Sequence, residues 1–327
     1  MSYLAFDLLL VALPAVLLLL GRSWQPLLGP VAVLAPVALL WTAPWDEHLV
    51  RNGVWTYAPD AVVARIGSVP AEEYGFVVLE VLLVAAWAVR TGALPPAPVV
   101  PDRLPPGARS RGGAGWLAVT VVGVALALAG GHLRYLGLLL LWVGPPMAVQ
   151  RAVAGDLLRA RRRTRAAVAL PVTAWLCTAD RLALADGIWA IAPASSTGVL
   201  LLGLPLEEAL FFLLTCVLVT DGLLLAADPR ARARALRLAQ AAATTSRTSR
   251  TASRRLAAGP SAPTGSSEGT STGIVSGTCT GAGSGSSADR LSLTSRRTSD
   301  SRTPRARQML ASSSDDASFC PRSTSDR

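Results

Sequence analysis

The chain has 327 residues, 51% of them hydrophobic, and a mean hydropathy of +0.42, which is too apolar for an ordinary soluble domain. Its formal charge of +10 sits entirely in residues 229–327, where 16 Arg meet six acids; residues 1–228 balance 15 Arg against 15 Asp and Glu, and Lys is absent. That placement gives no support to nucleic-acid binding by the folded part, and four Cys without a CxxC pair beside only two His argue against a metal centre or a disulfide framework.

In chain order, seven apolar segments stand out, at about 3–20, 27–43, 70–89, 116–130, 133–149, 166–179 and 200–226. A helix needs roughly 20 apolar residues to cross hydrocarbon. The first segment lacks a positive n-region and carries Asp7 instead, so it predicts a spanning helix and not a cleaved signal peptide. The fourth and sixth are short by themselves. From residue 229 the chain turns rich in Ser, Thr, Gly and Arg, and such a composition cannot offset its ordering entropy, which predicts disorder.

One block of residues occurs twice. Trp41, Asp46, Gly53, Trp55 and Pro59 recur 134 positions later as Trp175, Asp180, Gly187, Trp189 and Pro193. Pro70, Glu72, Glu73 and Phe76 recur 135 positions later as Pro205, Glu207, Glu208 and Phe211. The same shift lays the first three apolar segments on the last three. The predicted fold is therefore an all-α polytopic membrane protein of seven transmembrane helices. Two parallel three-helix repeats (1–90 and 132–228) flank a linker with one extra helix (91–131), and a disordered tail follows (229–327). The extra crossing makes the repeats parallel, so that both acidic loops, 44–69 and 180–204, share one side of the membrane. Eleven Arg in loops 21–26, 90–115 and 150–165, against four on the other side, put the N-terminus outside and the tail in the cytoplasm of a multi-pass cell-membrane protein.

The acids carry the chemistry. Pro70 followed by Glu72 and Glu73 is how many helices begin, since the N-terminal dipole favours negative charge. Recurrence as Pro205, Glu207 and Glu208, each pair behind an Asp (Asp46, Asp180), favours a working site. Acid groups near hydrocarbon are costly and mark function. A carboxyl facing an apolar interior favours its neutral form, so paired carboxyls can hold one group ready to donate a proton and another ready to accept one. Trp45, Trp55, Tyr74, Phe76, Trp189, Phe211 and Phe212 flank the acids, and ring faces stabilise cations by about 0.5–2 kcal/mol; an interfacial aromatic belt is the functionless alternative for the tryptophans. Glu80, inside the third segment, has only Thr215 as its repeat partner. Asp221 reads as interfacial, and the Arg run at 159–165 as topology-setting charge.

Pro-Trp-Asp, Gly-x-Trp and Pro-x-Glu-Glu, followed by Gly-Ile-Trp and Gly-Leu-Pro-Leu-Glu-Glu-Ala-Leu-Phe-Phe, resemble the heterodimeric-type lycopene β-cyclases, small membrane carotenoid cyclases found as two polypeptides or as fused halves. The resemblance covers about residues 1–227 and implies the fused form; the tail matches nothing in that family. It implies an intramolecular lyase or isomerase that converts the open ψ-ends of lycopene to β-ionone rings, giving γ-carotene and then β-carotene. Glu72, Glu73, Glu207 and Glu208 carry the family's acidic motif. The implied partners are the carotenoid in the bilayer, membrane lipids and other carotenoid-biosynthesis enzymes, and no cofactor is expected because no dinucleotide fingerprint is present. Alternatives are an ε- or γ-ring or C50 carotenoid cyclase, or, from another class, a proton-coupled transporter.

Overall fold

The structure, a computed structural model, describes residues 1–96, 107–241 and 244. It is mostly helical. α1 (Tyr3–Phe6), a π-helical stretch (Asp7–Ala12) and α2 (Leu13–Leu19) form one N-terminal rod, followed by α3 (Gln25–Arg51), α4 (Ala71–Arg90), α5 (Ala108–Ala129), α6 (Arg134–Ala160), α7 (Arg162–Ala185) and α8 (Leu206–Ala227). The seven apolar segments largely coincide with these helices, but residues 200–205 of the last one form a short hairpin ahead of α8. Among the described residues, five helices are suited by length and composition to cross a membrane: α3, α5, α6, α7 and α8. The N-terminal rod is shorter, and α4 carries Glu72, Glu73, Glu80 and Arg90.

α3 and α7 run on past the apolar stretches, so Asp46 and Asp180 lie on helices and not in the loops where the sequence put them. Each of these helices stops at a glycine with φ near +70°, Gly53 and Gly187, a conformation that side chains disfavour. Val54 then donates to the Leu49 carbonyl and Ile188 to that of Ala183. The repeated Gly-x-Trp is thus a helix C-cap that launches a strand. β1 (Trp55–Tyr57) and β4 (Trp189–Ile191) pair antiparallel, with Thr56 opposite Ala190. Two short hairpins, β2 (Arg65–Ile66) with β3 (Val69–Pro70) and β5 (Leu200–Leu201) with β6 (Leu204–Pro205), lead into α4 and α8.

α4 and α8 occupy the middle: α4 packs on α2, α3, α7 and α8, α8 on α3, α6 and α7, while α5 lies along α6. Tryptophans tie the layers together at backbone carbonyls beside helix prolines. Pro146 and Pro171 lack the N–H that would bond the carbonyl four residues earlier, and Pro14 follows the π-helical stretch that holds Leu10. Those three carbonyls, of Leu10, Trp142 and Ala167, accept the indoles of Trp175 (2.7 Å), Trp41 (3.2 Å) and Trp87 (3.0 Å).

At the other end, charges expected at the surface are buried. Asp221 is fully buried between Arg165 and Arg151, and Arg161 pairs with Asp228 at 3.0 Å. The Arg run therefore supplies buried ion pairs as well as surface charge. Burial alone would raise the Asp228 carboxyl, but hydrogen bonds from Arg230 and Arg161 hold it below its usual range. Where disorder was expected from residue 229, a helix runs over 229–241, seated by buried Ala231 and by Arg234 on Asp156 at 2.7 Å. The rest of that expected tail lies outside the described residues.

Candidate active site

The starts of α4 and α8 meet beside the β1–β4 pair. Pro70 and Pro205 precede the two helices with near-identical backbone angles, and each first turn carries two acids. Neighbouring residues point about 100° apart on a helix, so the members of each pair face different ways. The first turns back to its own loop. Glu72 accepts from the Val63 amide at 2.6 Å, and Glu207 accepts from the Thr197 amide at 2.6 Å and the Ser196 hydroxyl at 3.1 Å.

The second points inward. Oε2 of Glu73 accepts from the hydroxyls of Tyr3 (2.7 Å) and Tyr57 (2.8 Å), and Oε1 of Glu208 accepts from Tyr135 (2.6 Å). Burial, then the Glu73 charge, push the Tyr57 phenol well above its ordinary range, which keeps it a donor. Glu73, Glu208 and Asp180 line one small cavity. Its remaining wall is aromatic, with Trp55, Trp189, Phe76, Phe211 and Phe212 among its residues.

Eight sequence-predicted residues are thus brought together. Glu72 and Glu207 are not among them, since both hold loops. Asp46 is buried but does not line the cavity. The halves differ here: the Trp189 indole donates to Asp180 at 2.9 Å, whereas the Trp55 indole and Asp46 Oδ1 have no partner among the described residues. Trp45 stands behind the wall, stacked on Trp142 at 4.7 Å and on Phe211 at 5.9 Å. Tyr74 is half-buried, donates to the Ile66 carbonyl at 3.3 Å and takes no part in the cavity.

Tyr3, Tyr57 and Tyr135 were missed as hydrogen-bond donors to the acids. A signal existed: the chain has four Tyr, and Tyr3 and Tyr135 open the first helix of each half, 132 positions apart. A search fixed at 134 passes over that pair.

The arrangement can do one kind of chemistry well. Two carboxyls, each oriented by phenols, face a small aromatic chamber. Such a chamber suits proton transfer to and from an apolar substrate with a cation in between.

Comparison with known proteins agrees. The lycopene cyclase family model matches residues 1–89 and 134–221. The lycopene beta-cyclase of Halobacterium salinarum is 39% identical over 238 residues, covering 71% of this chain and 98% of that protein. Bifunctional lycopene cyclase/phytoene synthases of Podospora anserina and Aspergillus niger are 35% and 33% identical over 202 residues, 59% of this chain and 34% of each. The chain therefore spans about a third of those fungal proteins. No solved structure matches the chain.

Proposed function

The chain belongs to the lycopene cyclase family, and from that premise we propose that it closes the ψ-ends of lycopene into β-ionone rings with Glu73 and Glu208 as its proton-transfer pair. The observation that carries this reading is the inward, phenol-oriented carboxyl from each half in one aromatic cavity.

The reaction is a non-redox isomerisation. A carboxylic acid adds its proton to C2 of the ψ-end, and C1 becomes cationic. The C5=C6 double bond attacks C1 to close the ring, which moves the positive charge to C5. A carboxylate then removes the proton from C6, and a C5=C6 bond reforms. Two phenol donors on one oxygen suit Glu73 to hold negative charge, so it is the base. Glu208 has one phenol and neighbours the Asp180 carboxyl, and two carboxyls in one pocket readily keep one proton between them, so it is the acid. Trp55, Trp189, Phe76, Phe211 and Phe212 present ring faces or edges to the passing cation and exclude water that would quench it.

The membrane arrangement follows the same reading. α4 and the N-terminal rod cross the bilayer with the five longer helices, giving seven crossings. The two repeats relate by a pseudo-two-fold axis between Thr56 and Ala190, which are repeat equivalents facing each other in the strand pair. That axis is why one acid from each half reaches one cavity. The Arg distribution favours an external acid cavity and a cytoplasmic C-terminus in the cell membrane. Enzymes that release lycopene into the same bilayer are its expected neighbours.

Expression in a lycopene-accumulating bacterium tests the reading: the pigment should pass from red to orange-yellow, with β-carotene on chromatography. Lycopene left unchanged by membrane-inserted protein would refute it.

A further inference from the structure

A symmetric pair of acids implies symmetric access, and two lateral grooves do flank the centre. The first lies between α3 and α6 over a floor of α4 and α8; it is a narrow cleft of about 110 Å³ and includes Leu34, Ala38, Trp41, Pro146 and Gln150. The second lies between α2 and α7 on α4; it measures about 560 Å³ and includes Pro14, Leu18, Val172 and Trp175.

The grooves are counterparts in the repeat. Trp41 and Ala38 correspond to Trp175 and Val172 at 134 positions, and Pro146 and Gln150 to Pro14 and Leu18 at 132. Each mouth is crossed by one indole bonded to a backbone carbonyl of the facing helix, Trp41 to Trp142 and Trp175 to Leu10.

They differ in where they lead. The first groove shares Glu73, Phe76 and Phe211 with the acid cavity. The second reaches none of the acids. Two substitutions within the repeat account for this. Thr42 and Val77, 6% and 8% exposed, line the first groove; their counterparts, Leu176 and Phe212, have larger side chains, are 1% and 4% exposed, and line neither groove. What is channel on one side is packed side chain on the other.

We propose that the α3–α6 groove is the binding path for the polyene of the carotenoid substrate, which slides in from the bilayer past Trp41 until its ψ-end meets Glu73, and that the α2–α7 groove, though larger, is a blind counterpart that stops short of the acids. This rests on the cyclase reading above. Three features fit a long, flat hydrocarbon. The mouth is open to the outer face, with Val37 55% and Trp41 42% exposed. The path from Glu73 to Val81 along α4 is eight residues, about 12 Å of helix, enough to hold an extended chain beyond the reacting end. And the groove is continuous with the acids, so the chain need not leave hydrocarbon to react.

The test fills each groove in the full-length protein expressed in lycopene-containing membranes. Val77→Phe with Thr42→Leu copies the blind side onto the open one; Leu18→Phe with Val172→Phe fills the other. The first pair should cut lycopene conversion about tenfold or more, since even one or two added carbons in an apolar pocket cost roughly that much, while the second leaves it near wild type. Conversion lost only with the second pair, or unchanged by the first, would overturn the proposal. If Val77→Phe lowers the melting temperature, Ala38→Leu at the half-exposed mouth replaces it and should raise KM with kcat retained; an unchanged KM counts against the groove. Glu73→Gln and Glu208→Gln run beside them separate the two ideas. Active Gln variants sink the acid-base reading, whereas dead Gln variants with an active filled groove sink only the access path.

Discussion

The indole of Trp41 on α3 donates to the carbonyl of Trp142 on α6 at 3.2 Å, the same carbonyl whose helical partner is missing because residue 146 is proline. A buried acceptor without its amide is costly, so proline and tryptophan compensate each other across two helices. Trp41→Phe should cost about 1 kcal/mol of stability, the net worth of one hydrogen bond. In a Pro146→Ala background, where the backbone regains its amide, the same change should cost less. A double-mutant cycle on melting in detergent measures the coupling, and strict additivity would contradict the account.

Glu72 and Glu207 look like their neighbours in sequence and should behave differently. Each accepts a loop amide at 2.6 Å. Glu72→Gln and Glu207→Gln should therefore lower stability by about 1–3 kcal/mol yet keep turnover at temperatures where the protein is folded. Loss of turnover with unchanged melting would move these residues into the chemistry.

Tyr135 orients Glu208 at 2.6 Å, as Tyr3 and Tyr57 orient Glu73. A hydrogen bond to a charged group is worth about 1.5–3 kcal/mol, so Tyr135→Phe should slow turnover by roughly 10–100-fold. A positioning role also predicts that the pH profile of kcat shifts in the variant. A uniform loss of rate with an unmoved profile would indicate damage to packing instead.

The Arg161–Asp228 pair is almost wholly inside, with side chains 4% and 3% exposed. Removing one partner of a buried ion pair is costly, and Asp228→Asn should cost about 3–5 kcal/mol. The Asp228 carboxyl is held low when folded. Its contribution is thus present above the unfolded carboxyl value, about 3.9, and is lost as pH falls through the lower folded one. The melting temperatures of variant and parent should converge as pH drops through that window; a gap independent of pH would contradict this.

Much of the molecule was legible because hydropathy and repetition are local signals. Most of each apolar segment became helix, apart from the hairpin at residues 200–205, and a doubled motif pointed to paired acids. The division of labour within each Glu-Glu pair was not legible, since it depends on which way a helix faces once its neighbours pack. Asp46 and Asp180 match in sequence but differ in place, because Trp189 reaches Asp180 and Trp55 does not reach Asp46. Tyr74 sits beside the acids in the chain and points away from them on the helix. Tyr3 lies 70 positions from Glu73, so only the fold brings its hydroxyl there. The helix over 229–241 was hidden by composition, as its anchors are Ala231 and the Arg234–Asp156 pair.

The most direct test of the twin-carboxyl centre is single replacement of its members. Glu73→Gln and Glu208→Gln keep size and hydrogen-bonding shape but cannot exchange a proton, and each should cut cyclisation by about 10²–10⁴-fold, the usual share of acid-base catalysis. Chromatography of pigments from lycopene-accumulating cells should then show β-carotene with the parent protein and lycopene with either variant, at equal amounts of membrane-inserted protein. β-Carotene formed at the parental rate by both variants would contradict the assignment.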